Sequence, residues 1–153
     1  MITLSGFGFE KNLKDPSKVF ESFINGPAIT NFEKQFANYC DTNESVAVGS
    51  CTSALQLALL SLGVGVGDEV ITVPYTWVSS VEVIKQVGAT PVFVDINKGD
   101  MCIDTTQVAG KITNKTKAII GVDLFGNVCD LDALAKFNIP VIEDAAQSTG
   151  ADY

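Results

Sequence analysis

From Glu44 onward, short runs of β-branched residues alternate with segments whose apolar residues recur at helical spacing. The runs are apolar throughout, which is typical of strands that are buried on both faces. Repeated strand–helix units predict parallel strands joined by right-handed crossovers. The predicted strands are residues 45–48, 69–73, 91–96, 117–123 and 139–144, and the predicted helices between them are 52–63, 77–88, 104–112 and 130–137. The pattern therefore predicts an α/β domain with a parallel sheet of about five strands and helices on both faces.

Two helices are predicted ahead of the sheet. The first covers residues 16–25, and the second covers residues 30–40, where aromatic residues recur at helical spacing. Thr30 is the expected N-cap of the second helix, because Glu33 follows three residues later and the pair matches a capping box.

Composition narrows the range of functions. The 153 residues are enough for one domain, and the net charge of −8, with no arginine, argues against binding nucleic acid or an anionic membrane surface. No apolar stretch reaches the roughly 20 residues that span a bilayer, and the N-terminus does not resemble a signal peptide. The four cysteines form no Cys-x-x-Cys pair, so reduced thiols and a cytoplasmic location are expected. The absence of histidine excludes a Ser-His-Asp triad and a histidine-ligated metal within this sequence, and no metal site is predicted.

Ligands of open parallel sheets bind beyond the carboxyl ends of the strands. After the first predicted strand, Gly49 and Ser50 form a tight turn and Thr52 opens a helix. The free N–H groups of a first helical turn can hold an anion, so a phosphate bound there and by the Ser50 or Thr52 hydroxyl is one interpretation. An ordinary helix cap is the other. The stretch is neither a Walker loop nor a G-x-G-x-x-G motif, which disfavours ATP and dinucleotides.

Two more strand ends carry candidate ligand groups. Trp77, the only tryptophan, can lie flat against a planar ligand or pack in the core. Asp144 ends the last predicted strand, where a carboxylate is costly unless a positive group meets it, either a distant lysine or a cationic ligand. A phosphate, a flat ring and a positively charged ring atom together describe pyridoxal phosphate, whose ring nitrogen needs a carboxylate to stay protonated. Asp95 and Asp123 also end strands, and either could cap a helix or a turn.

The stretches "GDEVI", "GATPVFVDI" and "VIEDAAQSTGA", at these spacings, resemble the DegT/DnrJ/StrS family of fold-type-I, pyridoxal-phosphate-dependent sugar aminotransferases. The resemblance runs from about Ile29 to Tyr153 and covers the N-terminal part of the family. It implies that residues 44–153 are part of the large cofactor-binding domain, that residues 1–43 are an N-terminal helical segment, and that the small C-terminal domain is absent. It also implies a homodimer that transfers an amino group, usually from glutamate, to a keto group on a nucleotide-linked sugar.

The resemblance also assigns residues. Thr52 and Ser53 match positions that hold the cofactor phosphate. Ser50 stays a phosphate candidate from its place in the turn before them. Trp77 matches the aromatic residue stacked on the ring, Asp144 matches the partner of the ring nitrogen, and Gln147 matches a residue that hydrogen-bonds near the phenolic oxygen. Two positions depart from the family pattern, because Cys51 stands where many members have glycine and Asp123 stands where many have histidine.

The family binds its cofactor covalently through a lysine that follows the "EDAAQ" stretch, and none of the ten lysines here matches that motif. No catalytic residue is therefore assigned, and the chain alone is expected to be inactive. The leading hypothesis is a fragment of a sugar aminotransferase. One alternative is a non-catalytic truncated paralogue that serves as a partner subunit. Another is a free-standing flavodoxin-like cofactor-binding module, which the missing glycine-rich phosphate loops disfavour.

Overall fold

The computed structural model describes residues 26–151. Its strands are β1 (Glu69–Thr72), β2 (Thr90–Phe93), β3 (Thr116–Val122) and β4 (Val141–Asp144). Its α-helices are α1 (Pro27–Tyr39), α2 (Cys51–Ser61), α3 (Ser79–Gln86), α4 (Thr105–Val108) and α5 (Leu131–Ala135), and single 3₁₀ turns cover Ala109–Lys111 and Leu124–Gly126. The α/β class is confirmed. The helix predicted at residues 16–25 lies outside the described residues.

The four strands form one parallel sheet in the order β2-β1-β3-β4. The chain first moves outward from β1 to β2 and then crosses back to β3 and β4. Because crossovers between parallel strands are right-handed, this reversal places α3 on one face of the sheet and α4 and α5 on the other. The carboxyl ends of all four strands therefore lie along one rim, where ligands of such sheets bind.

The core explains why the strands read as unbroken apolar runs. Ile71, Ile119 and Ile120 have no exposed surface, and helices cover them on both faces. Helix α2 adds Leu55 and Leu59 to the same cluster. Within residues 26–151, no helix is long and apolar enough to cross a bilayer.

The predicted first strand, residues 45–48, is not part of the sheet, which among the described residues has four strands instead of about five. A β-strand needs a neighbouring strand to accept and donate its backbone hydrogen bonds. This segment instead forms hydrogen bonds to Glu33 of helix α1. The Ala47 N–H donates to Glu33 Oε1 at 2.9 Å, and Ser45 Oγ donates to the Glu33 carbonyl oxygen at 2.6 Å. Between residues 44–48 and the end of β4 lies an open groove of about 910 Å³.

The N-terminal cap predicted for α1 is wrong. The helix begins at Pro27 with Gly26 as its N-cap, so Thr30 lies inside the helix. Proline is favoured in the first turn because its fixed φ suits a helix and its missing N–H would have no partner there. Glu33, expected to close a capping box, instead holds Ala47.

Gly88 makes the tight turn between α3 and β2, and it supplies the first test of this fold. Its φ of +86° lies in the left-handed region, and an added Cβ would come within 2.8 Å of Val66 Cγ2. Gly88→Ala should therefore lower the free energy of unfolding by about 1–2 kcal/mol, the usual cost of an L-residue in that conformation, with some addition from the contact. Urea denaturation followed by circular dichroism measures the change.

Gly110→Ala is the matched control for this substitution. An added Cβ there meets nothing within 4 Å, and its backbone is outside the left-handed region. Equal stability losses at the two positions would contradict the turn geometry described for Gly88.

Candidate active site

A pocket of about 230 Å³ opens at the rim of the sheet, between the first turns of α2 and α3 and the end of β4. Its lining mixes apolar side chains, hydroxyl groups, a thiol, an amide and one carboxylate: Cys51, Thr52, Leu55, Trp77, Ser79, Ser80, Asp144, Ala146 and Gln147. Four residues predicted from the sequence to form a ligand site are among them, namely Thr52, Trp77, Asp144 and Gln147. Asp144 is the one charged side chain in this lining.

The Asp144 carboxylate is the centre of the pocket's hydrogen bonds, although only 6% of the residue is exposed. Its Oδ2 accepts a hydrogen bond from Ser80 Oγ at 2.7 Å. Its Oδ1 accepts from Cys51 Sγ at 3.6 Å and from the Ala146 N–H at 3.3 Å. Burial, and then the negative charge of Asp144, raises the pKa of the Cys51 thiol to about 11, so the thiol remains a donor at neutral pH.

The first turn of α2 has features of both an ordinary helix cap and a phosphate site, the two interpretations of its serine and threonine residues. Ser50 caps the helix, because its Oγ accepts from the Ser53 N–H at 3.1 Å, and the two hydroxyls also lie 3.1 Å apart. The backbone N–H groups of Cys51 and Thr52 belong to the first turn and have no carbonyl partner earlier in the helix. Thr52 lines the pocket and donates from Oγ1 to Ser79 Oγ at 2.9 Å. Ser50 and Ser53 are not among the lining residues.

Trp77 and Gln147 occupy the outer part of the pocket. Trp77 is 72% exposed, so its indole is not a core residue. Gln147 Oε1 accepts from the Phe125 N–H at 2.8 Å, which fixes the orientation of the amide and leaves its NH₂ group as the donor end. Phe125 itself has a φ of 59°, a costly conformation for a bulky residue.

Asp123 and Asp95 play other parts. Asp123 is buried, and its carboxylate accepts from the Cys129 N–H at 3.0 Å and from Ser148 Oγ at 2.8 Å, so it holds two loops together outside the pocket lining. Asp95 is exposed and accepts from the N–H of its neighbour Ile96.

Glu143 lies next to Asp123. Burial, and after it the adjacent Asp123 carboxyl group, raises the pKa of Glu143 to about 7.

Ser79 and Ser80 are pocket residues that the sequence analysis missed. Val78 separates them from Trp77, and together they open α3, where serine is common as an ordinary helix-start residue. The one available signal was their place just beyond a predicted strand end. Within the described residues, no group of three or more His, Cys, Asp or Glu side chains is placed to hold a metal ion.

Comparison with known proteins decides the family. Residues 10–153 match the profile of the DegT/DnrJ/EryC1/StrS aminotransferase family. The chain belongs to this family. The resemblance seen in the sequence is confirmed, and solved aminotransferases share this fold.

Three relatives give the scale of the similarity. The UDP-2-acetamido-2-deoxy-3-oxo-D-glucuronate aminotransferase of Pseudomonas aeruginosa is 43% identical over 135 residues, which are 86% of this chain and 38% of that protein. The aminotransferase from Psychrobacter cryohalolentis superposes on the whole chain with a TM-score of 0.87 and 36% identity, but only 40% of that protein is covered. The Bacillus subtilis protein NtdA, solved with its bound cofactor PMP, gives a TM-score of 0.79 at 34% identity over 82% of this chain and 30% of its own. The chain thus spans about two fifths or less of the family members that it matches.

Glu143 should make stability depend on pH in a definite direction. Its folded pKa of about 7 lies above the ordinary value of 4.5, so the folded state keeps a proton that the unfolded chain releases. The resulting stabilisation is complete below about pH 4.5 and is lost as the pH rises through 7. Glu143→Gln cannot ionise and should therefore be more stable than the parent at pH 8, by roughly 1–2 kcal/mol after allowance for partial exposure.

Urea denaturation at pH 4.5, 6 and 8 measures this effect. Glu82→Gln, on the exposed side of α3, is the matched control and should follow the parent at every pH. If the Glu143→Gln protein and the parent lost the same stability between pH 4.5 and 8, Glu143 would not carry the proposed proton.

Proposed function

We propose that this chain forms part of the cofactor-binding domain of a pyridoxal-phosphate-dependent aminotransferase that acts on a keto sugar linked to a nucleotide, with glutamate as amino donor. The domain comprises residues 44–153 and follows an N-terminal helical segment at residues 1–43. The observation that carries the proposal is the Asp144 carboxylate, held in the wall of a small pocket beside the first turn of α2. The sugar chemistry rests on family membership and on the P. aeruginosa relative, whose name describes a UDP-linked 3-oxo sugar. Glutamate is the amino donor that the resemblance in the sequence implies.

The residues present fit a phosphorylated pyridine. A pocket of about 230 Å³ is small beside the 300–1,000 Å³ of typical drug-sized sites, which favours a single-ring ligand. Asp144 supplies a negative charge for a protonated ring nitrogen. The first turn of α2, with its free N–H groups and the Thr52 hydroxyl, suits a phosphate, and the helix dipole adds to this preference. Ser50 shapes that turn as its cap, and Ser53 contributes a second hydroxyl beside it.

Each side chain has a definite task in this proposal. When bound, pyridoxal phosphate would supply a protonated, electron-withdrawing ring for the substrate carbon. Asp144 keeps the proton on the ring nitrogen, because a buried carboxylate favours a cationic partner. Trp77 covers one face of the ring and excludes water from it. Gln147, oriented by the Phe125 N–H, offers its NH₂ group to an acceptor oxygen on the ring.

The exposed aromatic residues at the rim support association with a second copy of the chain. Tyr75 and Phe125 meet edge to face, with ring centroids 6.5 Å apart, and both are more than half exposed, as is Trp77. Apolar groups gathered beside a ligand pocket are typical of an interaction surface. The homodimer implied by the family remains a prediction.

Binding of pyridoxamine 5′-phosphate tests the cofactor assignment. Quenching of Trp77 fluorescence reports the titration directly, because Trp77 is the only tryptophan and lines the pocket. Asp144→Asn keeps the shape of the side chain but removes its charge, and it should weaken binding at least about tenfold, as expected for the loss of a charged hydrogen bond.

Asp95→Asn is the matched control, since Asp95 also follows a strand but lies outside the pocket lining. It should leave the affinity unchanged. Binding that is equally strong in the Asp144→Asn protein would sink the assignment of Asp144 to the ring nitrogen.

The second test concerns the covalent anchor. No lysine lines the pocket in the described part of the chain, and Lys85 and Lys136 lie on exposed positions of the helical regions. We therefore expect this chain alone to bind the cofactor reversibly and not to transfer amino groups from glutamate to a keto sugar nucleotide. Borohydride reduction with pyridoxal phosphate, followed by peptide mass analysis, should show only low labelling scattered over surface lysines. One dominant modified lysine together with turnover would refute this expectation.

A further inference from the structure

The Asp144 carboxylate accepts hydrogen bonds from donors on three elements, and these donor residues have no assigned role. Ser80, in the first turn of α3, donates to Oδ2, and Cys51, the first residue of α2, donates to Oδ1. The Ala146 N–H, in the turn after β4, also donates to Oδ1. Ser80 is completely buried, so its hydroxyl has no water with which to exchange its bond.

The directions of these hydrogen bonds follow from the chemistry of the groups. An ionised carboxylate only accepts, so the Ser80 hydroxyl must donate to Asp144. Thr76 Oγ1 lies 3.1 Å from Ser80 Oγ and must then donate to it, because the serine proton is already committed. The result is a directed chain from Thr76 through Ser80 to Asp144.

Counting the hydrogen bonds that each oxygen accepts leaves one acceptor position of the carboxylate unused. Each carboxylate oxygen accepts about two hydrogen bonds. Oδ1 receives two, from Cys51 and Ala146, whereas Oδ2 receives one, from Ser80. The remaining acceptor position therefore belongs to Oδ2, in a residue that lines the pocket.

We propose that Ser80 and Cys51 are positioning residues that hold the Asp144 carboxylate in one orientation, with the free acceptor position of Oδ2 directed to the ring nitrogen of the cofactor. The proposal rests on the proposed function, because it concerns the same pocket and the same ligand. Without Ser80, the carboxylate can rotate and its bond to the ring nitrogen weakens. Without the Cys51 donor the loss is smaller, since a thiol is a weak donor. The raised pKa of Cys51, caused by burial and by Asp144, keeps that donor protonated at neutral pH.

Two ligands separate a positioning role from a merely structural one. One is pyridoxamine 5′-phosphate, and the other is the analogue that has carbon in place of the ring nitrogen. Both fill the pocket equally, but only the first can bond to Asp144. Trp77 fluorescence gives both dissociation constants. The dissociation constant of the carbon analogue divided by that of the pyridine ligand measures how strongly the carboxylate prefers the ring nitrogen.

Ser80→Ala should reduce this ratio about tenfold by weakening the pyridine ligand while leaving the affinity for the carbon analogue unchanged. Cys51→Ala should reduce the ratio about threefold, and Cys51→Ser, which retains a donor, should restore it. Ser61→Ala is the matched control, because Ser61 lies at the far end of α2 and bonds only within its own helix. Should Ser80→Ala fail to fold, as judged by circular dichroism, the two Cys51 variants still decide the question.

Two kinds of failure can be told apart. If the unmodified protein binds neither ligand, or binds both equally, the proposed function is wrong and this inference falls with it. If the unmodified protein prefers the pyridine ligand but Ser80→Ala weakens both ligands by the same factor, Ser80 only supports the fold. An unchanged ratio in both Ser80→Ala and Cys51→Ala would likewise overturn the positioning role and leave the proposed function intact.

Discussion

The hydrogen bonds on one buried carboxylate join the parts of the pocket to one another. Asp144 ends β4, and its donors come from the first turns of α2 and α3 and from the turn after the strand. A carboxylate with little access to water is costly unless its lone pairs are satisfied, so these bonds stabilise the arrangement of all four segments together. The distance between the two helix starts, and hence the width of the pocket, depends on this side chain together with the direct hydrogen bond from Thr52 to Ser79.

Consecutive residues of β4 serve opposite purposes because side chains alternate along a strand. Asp144 lines the small pocket, whereas Glu143 lines the large groove and lies beside Asp123. The two environments differ in what they offer a negative charge. Asp144 finds three donors, but Glu143 finds another acid, and burial with that neighbour raises the pKa of Glu143 to about 7. Of the two neighbouring acids, Asp144 is therefore suited to binding a cation, and Glu143 holds its proton up to about pH 7.

The sequence predicted those features that depend on local pattern or on strand order. Apolar runs located β1 to β4, and the rule that ligands bind at strand ends was enough to place Thr52, Trp77 and Asp144 together. Features that depend on partners far away in the sequence could not be predicted from it. Residues 45–48 have the composition of a strand, yet their backbone bonds to Glu33 of α1, and no local signal distinguishes the two outcomes. Ser80 escaped for the same reason, since its partner lies 64 residues away.

The contact between Cys51 and Asp144 joins residues 93 positions apart in the sequence. Contacts of such long range pay their loop-closure entropy before they stabilise anything, so they tend to form late in folding. A pocket built across this contact is absent from any state in which β4 has not yet joined the sheet. A ligand that binds there recognises only the fully assembled sheet. At a free concentration of about a hundred times its dissociation constant, it would raise the free energy of unfolding by about 2.7 kcal/mol. The supply of such a ligand and the stability of the folded chain are thereby coupled, and a substitution far from the pocket that loosens β4 would weaken ligand affinity without changing a lining residue.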